Sequence, residues 1–192
     1  MVDKIAEFLG IALGPHVWLP GLFLAIILNS GLNEQELKIV FPVVLLLQVI
    51  IPLLYLIFAP KLNWAEKWDM EKKEERRPIF ILVAALMLIS SVVIFFFGNQ
   101  VLLQLNIIIL TLVLVLFVIT YFWKISLHMS MNTAGVIVLN YLYHWHWWWF
   151  FVTIPLIFWA RLRLKKHTPA QLFAGLIISA AVTLGGLETL KI

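Results

Sequence analysis

The chain contains no cysteine, which excludes disulfides, thiolate nucleophiles and cysteine-held zinc or iron–sulfur centres, and leaves the redox compartment open. It is also poor in charge. Charged residues make up 12% of it, against roughly 25% in an ordinary soluble domain, while 63% of its residues are hydrophobic and the mean hydropathy is +1.01. A water-soluble globular domain is thereby excluded. The stretch from Pro78 to Trp123 carries no charged side chain at all. Apolar runs long enough to cross a bilayer as helices fill most of the sequence, without the alternation of barrel strands. The expected fold is therefore all-α: a polytopic integral membrane bundle of six to seven transmembrane helices, with residues 1–192 as a single domain. No cleavable signal peptide is expected, because Asp3 and Glu7 interrupt the apolar start and no small-residue cleavage pattern follows.

What is present can be taken in order. Ile5, Phe8, Leu9 and Ala12 predict an interfacial amphipathic helix within residues 1–14. Val17 to Ser30 is a short span, and Ile39 to Pro60 a full one that Pro42 and Pro52 can bend. Segment 61–77 is polar with mixed charge, which suits an interfacial helix anchored by Trp64 and Trp68. Gly98-Asn99-Gln100 divides the uncharged stretch into two spans. His128 to Tyr143 contains Asn132, Thr133 and Asn140, so it faces other helices rather than lipid. The run His144-Trp-His-Trp-Trp-Trp149 reads as a membrane-interface belt. Its two histidines point apart on a helix, and no acidic residue lies nearby to complete a metal site. Phe150 to Trp159 and the Gly- and Ala-rich Pro169 to Leu187 complete the spans.

All four arginines (Arg76, Arg77, Arg161, Arg163) and Lys72, Lys73, Lys124, Lys165 and Lys166 fall in loops that this topology puts on one membrane side. The positive-inside rule makes that side cytoplasmic. Three of these loops also open helices. Pro78 follows two arginines as a first helical residue, Ser126 caps a helix with His128 in its first turn, and Thr168-Pro169 starts a helix whose capping box Gln171 completes. A helix N-terminus offers free N–H groups and partial positive charge, and arginine adds a bidentate fork, so this combination points to phosphate.

In their order these loops resemble the type 2 phosphatidic acid phosphatase superfamily (PAP2), particularly its short bacterial members, from about Lys72 to Gly175. The third motif of that family is Ser-Arg, five residues, His, three residues, Asp; here Ala160-Arg161 is followed by five residues, His167, three residues and Gln171. Its Pro-Ser-Gly-His is matched in part by Ile125-Ser126-Leu127-His128. Its Arg-Pro is matched by Arg77-Pro78, with Met70 where the family has a lysine. The resemblance implies metal-independent and cofactor-free hydrolysis of a lipid phosphate: phosphatidate, phosphatidylglycerophosphate, or a polyprenyl phosphate or diphosphate. In that reaction His167 attacks phosphorus, His128 protonates the leaving alcohol, and Gln171 takes the place of the aspartate that orients the nucleophile. Arg77, Arg161, Ser126 and Lys72 or Lys73 hold the phosphoryl oxygens. The alternative is a non-catalytic relative that binds anionic lipid or serves as an accessory subunit of a larger membrane complex. The bacterial cytoplasmic membrane, membrane lipids as partners, a homo-oligomer or larger assembly, and no nucleic acid complete what the resemblance implies.

Overall fold

A computed structural model of the chain describes residues 1–97 and 99–190, the last of them by its backbone alone. Among the described residues the regular structure is helical, with no strand. The α-helices are α1 (Val2–Ala12), α2 (Pro15–Leu28), α3 (Glu34–Leu45), α4 (Ile51–Phe58), α5 (Arg76–Phe96), α6 (Gln100–Phe122), α7 (Leu127–Leu142), α8 (Thr153–Arg163) and α9 (Pro169–Leu190). Five helical segments are long and apolar enough to cross a membrane: Val2–Leu28, Glu34–Phe58, Arg76–Phe96, Gln100–Phe122 and Pro169–Thr189. The all-α, membrane-spanning expectation holds at that level. Helices α7 and α8, with 16 and 11 residues, fall short of the roughly 20 that a crossing takes. The contacts group the chain into two compact units, one of Met1–Ile26 with Ile125–Thr189 and the other centred on Ile27–Lys124.

The second unit is built on the α5–α6 hairpin, with α3 and α4 beside it. Asn33 opens α3 with a reciprocal capping box: its side chain accepts from the Glu36 amide at 3.0 Å, and Glu36 accepts from the Asn33 amide at 2.9 Å. Pro52 lacks an N–H, so the carbonyl four residues back loses its usual donor. The chain answers with a π-helical turn at Leu46–Ile50, between α3 and α4. That turn carries Gln48, whose Nε2 donates to Asn106 Oδ1 at 2.7 Å, while Asn106 Nδ2 donates to Ser91 Oγ at 2.7 Å and to the Met87 carbonyl at 3.1 Å. One polar cluster thus ties three helical segments together within the unit.

Within this unit the two ends are distinct. At one, Asn99 Nδ2 donates to the Ser30 carbonyl at 2.7 Å and the Asn99 side chain caps α6; Gly98, the first residue of the expected break, lies outside the described residues. At the other, Lys73 Nζ donates to the Phe122 carbonyl at 3.0 Å. Segment 61–77 departs from expectation, because residues 61–75 form a series of turns and not a helix. Asn63 and Met70 sit at φ 59° and 44°, left-handed conformations that end helical propagation. Met70 is buried with Ala59 and Ala65 under Tyr55, Leu56 and Ile79. The loop has a core of its own. Arg76 and not Pro78 begins α5.

In the first unit α7 is buried along most of its length, as its polar residues predicted, with Asn132, Thr133 and Asn140 at most 1% exposed. The Trp18 indole lies against Gly135, where a Cβ would approach it to 2.9 Å. Helix α1 packs along α8, with Ala6 and Gly10 buried and Asp3 paired to Arg163 at 2.7 Å. The Trp-rich segment turns out of α7 through His144 and Trp145, both left-handed, and leaves Trp145, Trp147, Trp148 and Trp149 exposed.

Candidate functional site

The α8–α9 connection shows how local rules place functional groups. Helix α8 ends in a Schellman motif: Lys166 N–H donates to the Arg161 carbonyl at 3.1 Å and Lys165 N–H to Leu162 at 2.9 Å. Lys165 occupies the left-handed position that glycine usually takes, at φ 52°. The chain reverses there, and α9 begins almost at once. The Gln171 amide donates to Thr168 Oγ1 at 3.4 Å and the Thr168 amide donates to Gln171 Oε1 at 3.1 Å, so the expected capping box forms. Two helix-end motifs back to back thus fix the separation between Arg161, in the last turn of α8, and His167, just ahead of α9. Both side chains are buried.

The same Gln171 oxygen lies 3.0 Å from His167 Nδ1. Its orientation is settled by the Thr168 amide, which can only donate and therefore selects the oxygen. An amide oxygen can only accept, so His167 Nδ1 carries the proton, and in the neutral form of the ring the lone pair is at Nε2. In a comparable triad, exchanging the carboxylate for an amide costs about 10⁴ in turnover, largely by imposing the wrong tautomer. Here the helix cap prevents that error. What Gln171 lacks is the negative charge that would support a cationic ring.

Ser126 is the N-cap of α7, its Oγ accepting from the Met129 amide at 3.4 Å, and His128 is buried in the first turn. This end of α7 lies against α9. A Cβ at Gly175 would stand 3.0 Å from the Ser126 carbonyl oxygen, 3.1 Å from Ser130 Oγ and 3.2 Å from Met129 Cβ. Met129, Ile157 and Leu172 form one buried cluster, edged by Leu13, Ile154, Phe158, Leu162 and Leu176. His128 adjoins the first of these, Arg161 lies one turn beyond the second, and Gln171 adjoins the third. The start of α7, the end of α8 and the start of α9 therefore converge. Helix α1 joins them at Gly10, where a Cβ would lie 3.6 Å from Arg161 Nη1.

Comparison with family models, curated proteins and solved structures finds no match for this chain. The chemistry is therefore read from the side chains. In the second unit, the remaining expected phosphate ligands have local roles. Lys72 pairs with Glu66, whose hydrogen bond and charge raise the lysine pKa above its ordinary value. Lys73 covers the last carbonyls of α6, and the Arg77 guanidinium lies 4.2 Å from the centre of the Tyr121 ring. Arg76 is buried and donates through Nε to the Met70 carbonyl at 2.8 Å. No group of three or more His, Asp or Glu that could hold a metal comes together among the described residues. Sequence reasoning missed Gly175 and Gly10, which let α9 approach α7 and α1 make room for Arg161. The spacing of four residues from Gln171 was the available signal for Gly175.

Proposed function

We propose that the first unit carries a lipid phosphate phosphatase site of PAP2 type, with His167 as nucleophile. The observation that carries this reading is the hydrogen-bond chain Thr168 N–H to Gln171 Oε1 to His167 Nδ1–H, which leaves Nε2 of a neutral ring as the nucleophilic atom. In the first step Nε2 forms a bond to phosphorus as the bond to the lipid oxygen breaks, and His128 gives its proton to the departing alcohol. In the second, water adds to phosphorus, the P–N bond breaks with its electron pair returning to Nε2, and His128 takes the water's proton. Arg161 and the start of α7 supply positive potential for the phosphoryl oxygens. A headgroup held among helix ends with its tail among apolar helices describes an amphipathic substrate. Phosphatidate, phosphatidylglycerophosphate and polyprenyl phosphates all fit that description.

A second reading is favoured by the local engagement of Lys72 and Lys73 and by the neutrality of Gln171: an anion site that binds lipid headgroups without turnover, in an accessory membrane protein. One experiment separates the two. Purified protein in lipid nanodiscs is given the three lipid phosphates, with His167→Ala as control. Phosphate release by wild type alone supports the enzyme. Equal release by both proteins from every substrate sinks it.

A further inference from the structure

A hydroxyl inside a helix that crosses a membrane ordinarily donates to the carbonyl one turn back. Ser90, Ser91, Thr111 and Thr189 do so, bonding Leu86, Met87, Ile107 and Gly185 at 2.6 to 3.0 Å. Four hydroxyls of the first unit do not. Ser130 and Thr133 of α7 and Ser179 and Thr183 of α9 are at most 1% exposed, and their oxygens have no hydrogen-bond partner among the described residues. Asn140 Oδ1 and Asn132 Nδ2 share that condition, although each side chain uses its other end, Asn140 Nδ2 donating to the Val136 carbonyl and Asn132 Oδ1 accepting from Thr153. In the second unit Thr120 is the one hydroxyl of this kind among the described residues.

These groups are aligned. Gln171, Gly175, Ser179 and Thr183 recur every fourth residue, so they share one face of α9. The Cβ position of Gly175 lies 3.1 Å from Ser130 Oγ, which turns that face toward α7. On α7, Ser126, Ser130, Thr133 and Asn140 follow at helical spacing on one side. Gly175 is the level at which α9 meets α7, and from there to Thr183 the polar line of α9 extends about 12 Å, at 1.5 Å per residue. One end of the double line is Gln171, the hydrogen-bond partner of His167.

We propose that α7 and α9 enclose a file of water molecules that hydrogen-bonds Ser130, Thr133, Asn140, Ser179 and Thr183 and ends beside His167. Small hydroxyls and an amide oxygen, with a glycine at the closest approach, suit water, which satisfies buried polar groups by making two to four hydrogen bonds each. Resting on the phosphatase reading, the file supplies the reacting water from within the protein while lipid covers the outer side of the site.

The test uses the full chain in nanodiscs. Radiolytic hydroxyl-radical labelling oxidises side chains that touch water, and the methionines provide internal standards: Met1 is exposed, Met87 buried in the second unit, and Met129 buried but beside Gly175. In wild type, Met129 is expected to oxidise several-fold faster than Met87. The Ser179→Ala/Thr183→Val variant is expected to slow Met129 and leave Met1 unchanged. Equal slow labelling of Met129 and Met87 in wild type overturns the file, and this comparison needs no variant to fold. A single-turnover measurement then follows phosphohistidine. Slower hydrolysis with unchanged formation in the variant supports delivery, and unchanged hydrolysis overturns it. If wild type labels as expected but never forms phosphohistidine, the phosphatase reading and the delivery role fail together and the file stands.

Discussion

Gly175 touches the cap of another helix: a Cβ there would lie 3.0 Å from the Ser126 carbonyl oxygen. That neighbour is backbone and cannot rotate away. Gly175→Ala gains about 1 kcal/mol in helix propensity but incurs an overpacking cost of about 1–3 kcal/mol. A net loss of about 1 kcal/mol is expected, read as a lower unfolding midpoint in detergent, together with reduced phosphate release. A variant as stable and active as wild type would show that α7 and α9 tolerate separation here.

Gln171 serves both the helix cap and His167. On the phosphatase proposal, Gln171→Ala, which removes both bonds, is expected to lower turnover by about 10² or more, the usual worth of an oriented acid–base group. Gln171→Glu keeps the acceptor and adds charge, so turnover should rise. Initial rates of phosphate release check both. Unchanged activity in Gln171→Ala would remove it from the mechanism.

Lys165 holds a left-handed conformation at the end of α8. Replacing it with glycine relieves a cost of about 1–2 kcal/mol, partly offset by the greater freedom of glycine in the unfolded chain. Lys165→Gly is therefore expected to stabilise the protein by about 0.5–1 kcal/mol. A denaturant titration with an unchanged or lower midpoint contradicts the motif.

Asn106 sits between Gln48, Ser91 and the Met87 carbonyl. Asn106→Leu strands Gln48 Nε2 in a buried position and should cost about 1–3 kcal/mol. In a Gln48→Leu background the same change should cost less, with a coupling of about 0.6 kcal/mol, the average for polar pairs between membrane helices. Additive losses would show that the two side chains do not support each other.

Local chemistry was the legible part. Uninterrupted apolar runs announced the long helices, and the caps at Ser126 and Thr168, with Gln171 completing its box, followed from residue type and spacing alone. Asn33 followed three residues later by Glu36 is likewise a capping-box signature, and α3 begins there. The turns of residues 61–75 were hidden because their order comes from burial of Met70 and from the Arg76 side chain, neither of which periodicity reports. Long-range pairing was invisible. Gln48 and Asn106 are 58 positions apart, and nothing in either neighbourhood names the other. Gly175 falls in a span that reads only as Gly- and Ala-rich, and the approach of α7 shows why this position must be small.

The burial of α7 bears on how the protein is made. With Asn132 and Asn140 fully buried and 16 residues in all, this helix offers lipid a poor surface and too little length. During synthesis it leaves the ribosome before α8 and α9, which later cover it. Stable burial of α7 is therefore expected to wait for those helices, although Trp18 of α2 already lies against its Gly135. The first unit is thus expected to assemble late, its buried polar helix covered fully only once the last helix of the chain has been made.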